Sequence, residues 1–316
     1  MIEVVLLGQP FAAARVARAI NQGADDFHAR VINGRQYLDL LARPPRGDRL
    51  VAMRVGYRVG AATSRGRMFD AYWSLLRRRL PRVTCCHYWL GSDVMRTVED
   101  ARSGVIQAGP LRASLDDLHL SVAPWLTAEL EAVGIHATTA FIPAPLRIPE
   151  VAPDLPEAFG VLTYLPNHRF AFFGGEIVME TARRLPDVRF DVVAGTAEAA
   201  PSAPPNVHWH GWVTDMAERY RESTVVVRVP RHDGFGNSVI EGLLNARHVI
   251  YTHAVPFVQL VSPVTDDALT AAIGSVFAAH LEGVLIANTA GRDYAVEAFD
   301  PVRLGNELRA LLRANS

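Results

Sequence analysis

Two carboxylates, Asp233 and Glu241, stand eight positions apart in the segment VPRHDGFGNSVIEGLLNA, residues 229–246. A β-branched run leading into this segment predicts a buried strand, and the apolar spacing after its glycines predicts a helix. Glu241 would lie about one turn into that helix. A carboxylate there can accept hydrogen bonds from two vicinal hydroxyls, such as those of a ribose. Asp233 would stand at the mouth of the same crevice.

The turn between the two acids has the chemistry of an anion site. Gly234 and Gly236 allow the backbone to approach a ligand where a Cβ atom would clash. Asn237 or Ser238 can cap the helix, whose first N–H groups have no partner within the helix. These donors and the positive end of the helix dipole favour a phosphate group.

This segment resembles the acidic-x7-Glu motif of retaining GT-B glycosyltransferases of the group 1 (family 4) type, which usually opens as Glu-Gly-Phe-Gly. Asp233 stands where the family commonly has glutamate. The resemblance implies that Glu241 holds the ribose of a sugar nucleotide and that Asp233 contacts hydroxyls of the donor sugar. It also implies that the diphosphate is held by Gly234, Phe235, Gly236, Asn237 and Ser238. The competing interpretation is an ordinary strand-to-helix junction with two solvated acids.

The loop at residues 166–175 corresponds to a family loop whose arginine and lysine neutralise the diphosphate. Counting without gaps from the following helix places Arg169 at the arginine position and Gly174 at the lysine position. The chain contains no lysine, since all 32 of its basic residues are arginine. Arg231 and the backbone at Gly174 and Gly175 are therefore the predicted substitutes. For Arg169, a solvated loop arginine is the alternative.

Two other segments are similar to family patterns. The run NVHWHGWV, residues 206–213, resembles an Asn-Val-x-Phe-x-Gly segment, and the backbone around Trp212 and Val213 would then meet the nucleobase. The run HYWLGSD, which begins at His87, resembles the histidine and Gly-Ser-Asp loop at the cleft edge of the family's amino-terminal domain. His87 or Asp93 would then face donor or acceptor hydroxyls, although a lone histidine near a strand end also suits a structural role.

The composition is typical of a globular chain and not of a membrane-spanning or nucleic-acid-binding one. The 316 residues carry a formal net charge of −1, and 49% of them are hydrophobic. No apolar run reaches the ~20 residues that span a bilayer, and the first residues do not have the pattern of an export signal. The adjacent cysteines, Cys85 and Cys86, suit reduced thiols and a cytoplasmic location.

Alternation of β-branched runs with helical periodicity predicts an α/β fold with two domains. We predict an amino-terminal acceptor domain over 1–148, a nucleotide-sugar-binding domain over 149–300 and a final helix over 301–316. The resemblance implies the GT-B fold, in which two Rossmann-like domains face a cleft and the final helix packs back on the first domain. The lone glycine after the first strand, Gly8, argues against a dinucleotide-binding oxidoreductase or epimerase.

Residues 64–81 predict a helix that carries both aromatic residues and arginines, and residues 44–48 predict a loop. Such a helix can lie on an anionic membrane surface. Group 1 glycosyltransferases that use lipid-linked acceptors often dock in this way. The alternative places the aromatic side chains in the core and the arginines in solvent.

The sequence thus predicts a retaining glycosyltransferase that uses a nucleoside diphosphate sugar as donor. The acceptor is a glycan, a lipid-linked or a small molecule, in polysaccharide, glycolipid or natural-product glycosylation. The predicted location is the cytoplasm, with peripheral contact at the inner membrane face if the helix at 64–81 docks there. No cofactor, metal or nucleic acid is implied. The alternative is a catalytically weak sugar-nucleotide-binding subunit or scaffold, which the absent lysine and Asp233 favour.

Overall fold

A computed structural model of the chain describes residues 1–43, 49–61, 63–144 and 146–316, with only the backbone at Arg65. The predicted loop at 44–48 therefore lies outside the described residues. The chain divides into two compact units. Unit 1 comprises Met1–Pro145 together with Pro301–Ser316, and unit 2 comprises Leu146–Asp300.

Strands and helices alternate through unit 1, as the hydrophobic pattern predicts. Helix α2 was not predicted, although Asn33 and Gln36 form a capping box at its start. In chain order the elements are β1 (Ile2–Gly8), α1 (Pro10–Asn21), β2 (Phe27–Val31), α2 (Gly34–Ala42), β3 (Arg49–Val55), α3 (Ser64–Arg79), β4 (Thr84–Trp89), α4 (Ser92–Arg102), α5 (Ala108–Ser114), β5 (Leu118–Ser121), α6 (Pro124–Glu131) and β6 (Thr138–Thr139).

Unit 2 repeats the same alternation, and short 3₁₀ turns at Asn167–Arg169, Ala171–Phe173 and Ala197–Ala199 interrupt its loops. Its elements are β7 (Gly160–Tyr164), α7 (Gly175–Arg184), β8 (Arg189–Val193), β9 (Val207–Trp209), α8 (Ala217–Arg221), β10 (Val225–Arg228), α9 (Asn237–Leu244), β11 (His248–Tyr251), β12 (Gln259–Leu260), α10 (Asp266–Leu281) and α11 (Thr289–Ala298).

The last helix, α12 (Pro301–Ala314), belongs to unit 1 and packs on α1. Leu308 and Leu312 on α12 are buried. Arg309 is also buried, and its Nη1 donates to the carbonyl oxygen of Ala19 at 2.8 Å. This bond satisfies a carbonyl in the last turn of α1. The predicted return of the final helix to the first domain is confirmed.

Each unit contains one parallel six-stranded sheet, and the strand order locates a binding crevice in each. In unit 1 the order is β2-β1-β3-β4-β5-β6, and in unit 2 it is β12-β11-β10-β7-β8-β9. The chain reverses its direction of progress between β1 and β3 in the first sheet and between β7 and β10 in the second. Ligands of open α/β sheets bind outside the carboxyl ends of the strands at such switch points.

Helix α3 buries some of its apolar side chains and leaves others exposed. Trp73 is 3% exposed and Leu76 is fully buried, while Met68 and Leu75 remain exposed. The inward orientation of Trp73 favours the core interpretation of this helix, and membrane docking stays a prediction. Within the described part of the chain, no helix combines the length and the apolar character that crossing a membrane requires.

Candidate functional site: a cavity at the switch point of unit 2

A cavity of about 430 Å³ opens where β7, β8 and β10 end. It therefore lies at the switch point between β7 and β10. The structure brings together at this cavity seven of the residues that the sequence assigned to a donor site. They are Trp212, Val213, Phe235, Gly236, Asn237, Ser238 and Glu241.

The amino terminus of α9 lies at this cavity, with Gly236, Asn237 and Ser238 in its wall. Asn237 and Ser238 were predicted to cap the helix, but both lie inside it, and the cap position is Gly236, which has no side chain. The first N–H groups of α9 thus have no side-chain cap, as an anion site requires. The hydroxyl of Ser238 is buried without a hydrogen-bond partner among the described residues. Phe235 has a φ of 92°, a strained value that non-glycine residues keep mainly at functional sites.

Glu241 lies in the cavity wall with one oxygen already held. The hydroxyl of Tyr220, on α8, donates to Oε2 of Glu241 at 2.5 Å. Burial raises the pKa of Glu241, and the bond from Tyr220 opposes this rise. Tyr220 thereby fixes the carboxylate. Sequence reasoning missed Tyr220 because it lies 21 positions away, on a separate helix.

Asp233 does not stand at the mouth of the crevice, which corrects its predicted position. It is 8% exposed and accepts two hydrogen bonds from Arg228, from Nε at 2.5 Å and from Nη2 at 2.7 Å. The hydroxyl of Tyr251 donates to it at 2.9 Å and the amide of Gly234 at 3.0 Å. Although burial alone would raise it, the pKa of Asp233 is lowered by Arg228 and these bonds. Asp233 is therefore an ionised partner of Arg228.

Arg228 is the one cation among the described residues that line this cavity. No local sequence pattern distinguishes it from the other arginines. It is the last residue of β10 and lines the cavity, with its guanidinium 5.4 Å from the centre of the Phe173 ring. Its side chain is 13% exposed, and Nη1 makes no hydrogen bond with the described residues. A Cβ atom on Gly236 would lie 1.8 Å from Nε of Arg228. Only glycine at 236 leaves the guanidinium in this place.

The predicted backbone nest at Gly174 and Gly175 is wrong as an anion site. Both amides are already bonded, to the carbonyl oxygens of Ala171 at 3.1 Å and Phe170 at 3.0 Å. Gly174 has a φ of 79°, and a Cβ atom there would lie 2.4 Å from the carbonyl oxygen of Val229. A lysine cannot be built on this backbone without a shift of the chain.

The two other predicted phosphate ligands, Arg169 and Arg231, do not line the cavity. The guanidinium of Arg169 lies 3.8 Å from the centre of the Phe172 ring, a cation–π contact. The side chain of Arg231 is exposed, while its amide donates to the carbonyl oxygen of Phe172 at 2.8 Å. Their roles as phosphate ligands stay predictions.

His87 of unit 1 is buried, which corrects the prediction that it faces a substrate, whereas Asp93 is buried in the wall of a cavity in unit 1. His87 is 1% exposed, with Nε2 2.5 Å from Oδ2 of Asp117 and its ring stacked on His119 at 4.6 Å. At the start of α4, the carboxylate of Asp93 accepts a hydrogen bond of 2.8 Å from the amide N–H of Gly91. The contacts of both side chains are made within unit 1. The position of a residue on a strand or in a loop does not by itself decide which way its side chain faces.

A family profile described as Glycosyl transferases group 1 matches residues 159–286. That range contains every residue that lines the unit 2 cavity. A sequence search of the curated proteins finds no match.

Several solved structures share the fold at low sequence identity. The Anabaena protein Alr3699/HepE, in complex with UDP and glucose, has a TM-score of 0.69 at 11% identity, with 99% of this chain and 100% of that one covered. Sucrose-phosphate synthase from Thermosynechococcus elongatus has a TM-score of 0.70 at 15% identity and the same coverage. The lipopolysaccharide outer core galactosyltransferase WaaB, in its apo form, has a TM-score of 0.64 at 10% identity, again with 99% and 100% covered.

The buried His87 makes the stability of unit 1 depend on pH. Burial lowers its pKa well below the ordinary value, and the positive groups at His119, Arg54 and Arg77 add to the effect. Below about pH 6.5 the imidazole of His87 is therefore protonated in the unfolded chain but stays neutral in the folded one. The stabilisation is complete above that pH and is lost as the pH falls.

We expect the free energy of unfolding, measured by urea titration between pH 7.5 and 5.5, to fall by up to about 1.4 kcal/mol per pH unit through this group. His87→Asn should flatten the slope, and the histidine contribution that remains comes from His119 and His248, whose pKa values burial also lowers. His28→Asn, at an exposed position, is the control. Equal slopes for wild type and His87→Asn would contradict the assignment.

Proposed function

We propose that this chain is a glycosyltransferase of group 1 with the GT-B fold, and that it moves a sugar from a UDP-sugar to an acceptor with retention of anomeric configuration. The observation that carries the proposal is the convergence of one aromatic wall, one fixed carboxylate and one uncapped helix amino terminus on the unit 2 cavity. These groups match the three parts of a nucleoside diphosphate. The UDP bound by the Anabaena protein of similar fold supports uracil as the base.

Each part of the donor has a complementary group. Trp212 is 77% exposed at the cavity wall, and an aromatic face of this kind stacks well on a base. Glu241, held by Tyr220, accepts the two ribose hydroxyls. The N–H groups at the start of α9 and Nη1 of Arg228 bind the diphosphate.

The same groups stabilise the charge that develops during transfer. As the bond from the anomeric carbon to the diphosphate breaks, negative charge accumulates on the departing phosphate. Asp233 already fixes the position of Arg228, so the positive charge of the guanidinium needs little reorganisation at that moment. Asp233 thus positions the cation.

Retention needs no carboxylate nucleophile in this scheme. Glu241 is the one acidic residue among those described that line the cavity, and the ribose occupies it. Asp233 is committed to Arg228. The leaving phosphate can then accept the proton of the acceptor hydroxyl on the same face of the sugar. For the acceptor we propose a glycan, a lipid-linked or a small molecule, and for the location of the reaction the cytoplasm.

Glu241→Gln should weaken UDP binding by about 1.5 to 3 kcal/mol, because the neutral amide loses a charge-assisted hydrogen-bond set. Isothermal titration calorimetry measures this as a roughly 10- to 150-fold rise in Kd. Glu176→Gln, an exposed acid at the start of α7, makes the same charge change as a control. If the two variants bind UDP equally well, Glu241 does not hold the ribose.

Gly236→Ala should separate the diphosphate end of the site from the nucleoside end. The backbone of Gly236 has φ −74° and ψ 128°, which alanine adopts freely, so the effect is the displacement of Arg228. We expect UDP affinity to fall by about tenfold or more while uridine affinity changes little. Gly274→Ala, where a Cβ atom meets nothing within 4 Å, is the control. An equal loss for both ligands would mean that the whole turn has been disrupted.

Retention itself is tested by ¹H NMR of the first product formed. We expect the coupling constant of the product's anomeric proton to match the configuration of the UDP-sugar donor. Hydrolysis and transfer by the Glu176→Gln variant should give the same configuration. An inverted product would require a general base that this cavity does not contain among its described residues.

A further inference from the structure

A second cavity, of about 470 Å³, lies in unit 1 at the switch point between β1 and β3. Its floor is formed by the carboxyl ends of these strands, at Gly8 and Arg54. Tyr57 and Phe69 form an aromatic wall, with ring centroids 4.3 Å apart. Its size and position are those of a small-molecule site.

Two arginines that line this cavity have guanidinium N–H groups with no partner among the described residues. Arg96, on α4, is exposed and makes no hydrogen bond or ion pair with any described residue. Arg58 pairs with Asp100 through Nη2, which orients the guanidinium, and its Nη1 has no partner among the described residues. Guanidinium groups placed in this way recognise phosphate and carboxylate.

The amino terminus of α1 contributes further donors at the same place. Its cap residue, Gln9, and its first residue, Pro10, both line the cavity. Gln9 makes no side-chain cap bond, and the first turn contains no acid. The positive end of the α1 dipole therefore remains available to an anion.

Asp93, the one acid among the described residues that line the cavity, is bonded to the backbone and not to these arginines. The carboxylate of Asp93 accepts hydrogen bonds from the amide N–H groups of Leu90 and Gly91. Arg54, beneath the cavity, is 2% exposed and bonded to Asp70 at 3.1 Å, and its Nε has no hydrogen-bond partner among the described residues. An anion in the cavity would add a favourable interaction with this buried cation.

We propose that the unit 1 cavity binds an anionic group, a phosphate or a carboxylate, on the acceptor, with Arg96 and Arg58 as its ligands and the start of α1 as a third contact. The identification of the ligand as the acceptor rests on the proposed function. The aromatic wall packs against the ring that bears the anionic group. The enzyme would then select acidic acceptors over neutral ones.

The test uses three probes that share a hexose ring: glucose 6-phosphate, glucuronate and glucose. Each is titrated calorimetrically into the full chain, with and without saturating UDP, so that anion binding to unit 2 is blocked in one series. We expect at least one acidic probe to bind about tenfold or more tightly than glucose, and the stronger of the two identifies phosphate or carboxylate. The preference should persist in the presence of UDP.

Arg96→Ala should reduce the affinity of the preferred acidic probe by about tenfold and leave UDP affinity unchanged. Arg102→Ala removes the same charge from an exposed position in the last turn of α4 and should change neither. Equal binding of all three probes, no binding of any, or an Arg96→Ala variant that binds like wild type would overturn the proposal. Failure of UDP to bind would instead refute the donor site, because the Arg96 dependence is measured separately.

Discussion

The ion pair between Arg228 and Asp233 is the interaction on which the geometry of the unit 2 cavity depends. Burying two charges is unfavourable, and here two hydrogen bonds within the pair and two more, from Tyr251 and Gly234, offset that desolvation. The pair ties the end of β10 to the turn that precedes α9. As a result, the guanidinium and the first N–H groups of α9 face the same cavity.

This arrangement supplies a cation that the resemblance led us to seek elsewhere. The backbone at Gly174 is turned into the end of β10, so that a side chain there would meet the carbonyl of Val229. The strand end provides Arg228 instead, and Gly236 leaves the space that it occupies. The acid at 233, shorter than the usual glutamate, then belongs to this pair.

The sequence was sufficient for the fold and for the location of the site, because hydrophobic period and turn chemistry are local properties. It predicted a final helix over 301–316, where α12 spans Pro301–Ala314, and the strand-turn-helix around Gly236. It was insufficient wherever an outcome depended on which face of an element a side chain takes. His87 could face a cleft or the core, and the core contains the Asp117 that binds it. Likewise, no local pattern shows that Tyr220 reaches Glu241.

Because the chain contains no lysine, its fixed cations are guanidinium groups, and this affects how they are held. A planar guanidinium can form an ion pair through one edge and stack on an aromatic ring through its face at the same time, which an ammonium group does less well. Arg228 pairs with Asp233 beside the Phe173 ring, and Arg54 pairs with Asp70 beside the Trp73 ring. Each is fixed before any ligand arrives, so little side-chain entropy is lost when one binds. In this chain Arg228 and Arg54, each beside one cavity, are therefore preorganised parts of the fold.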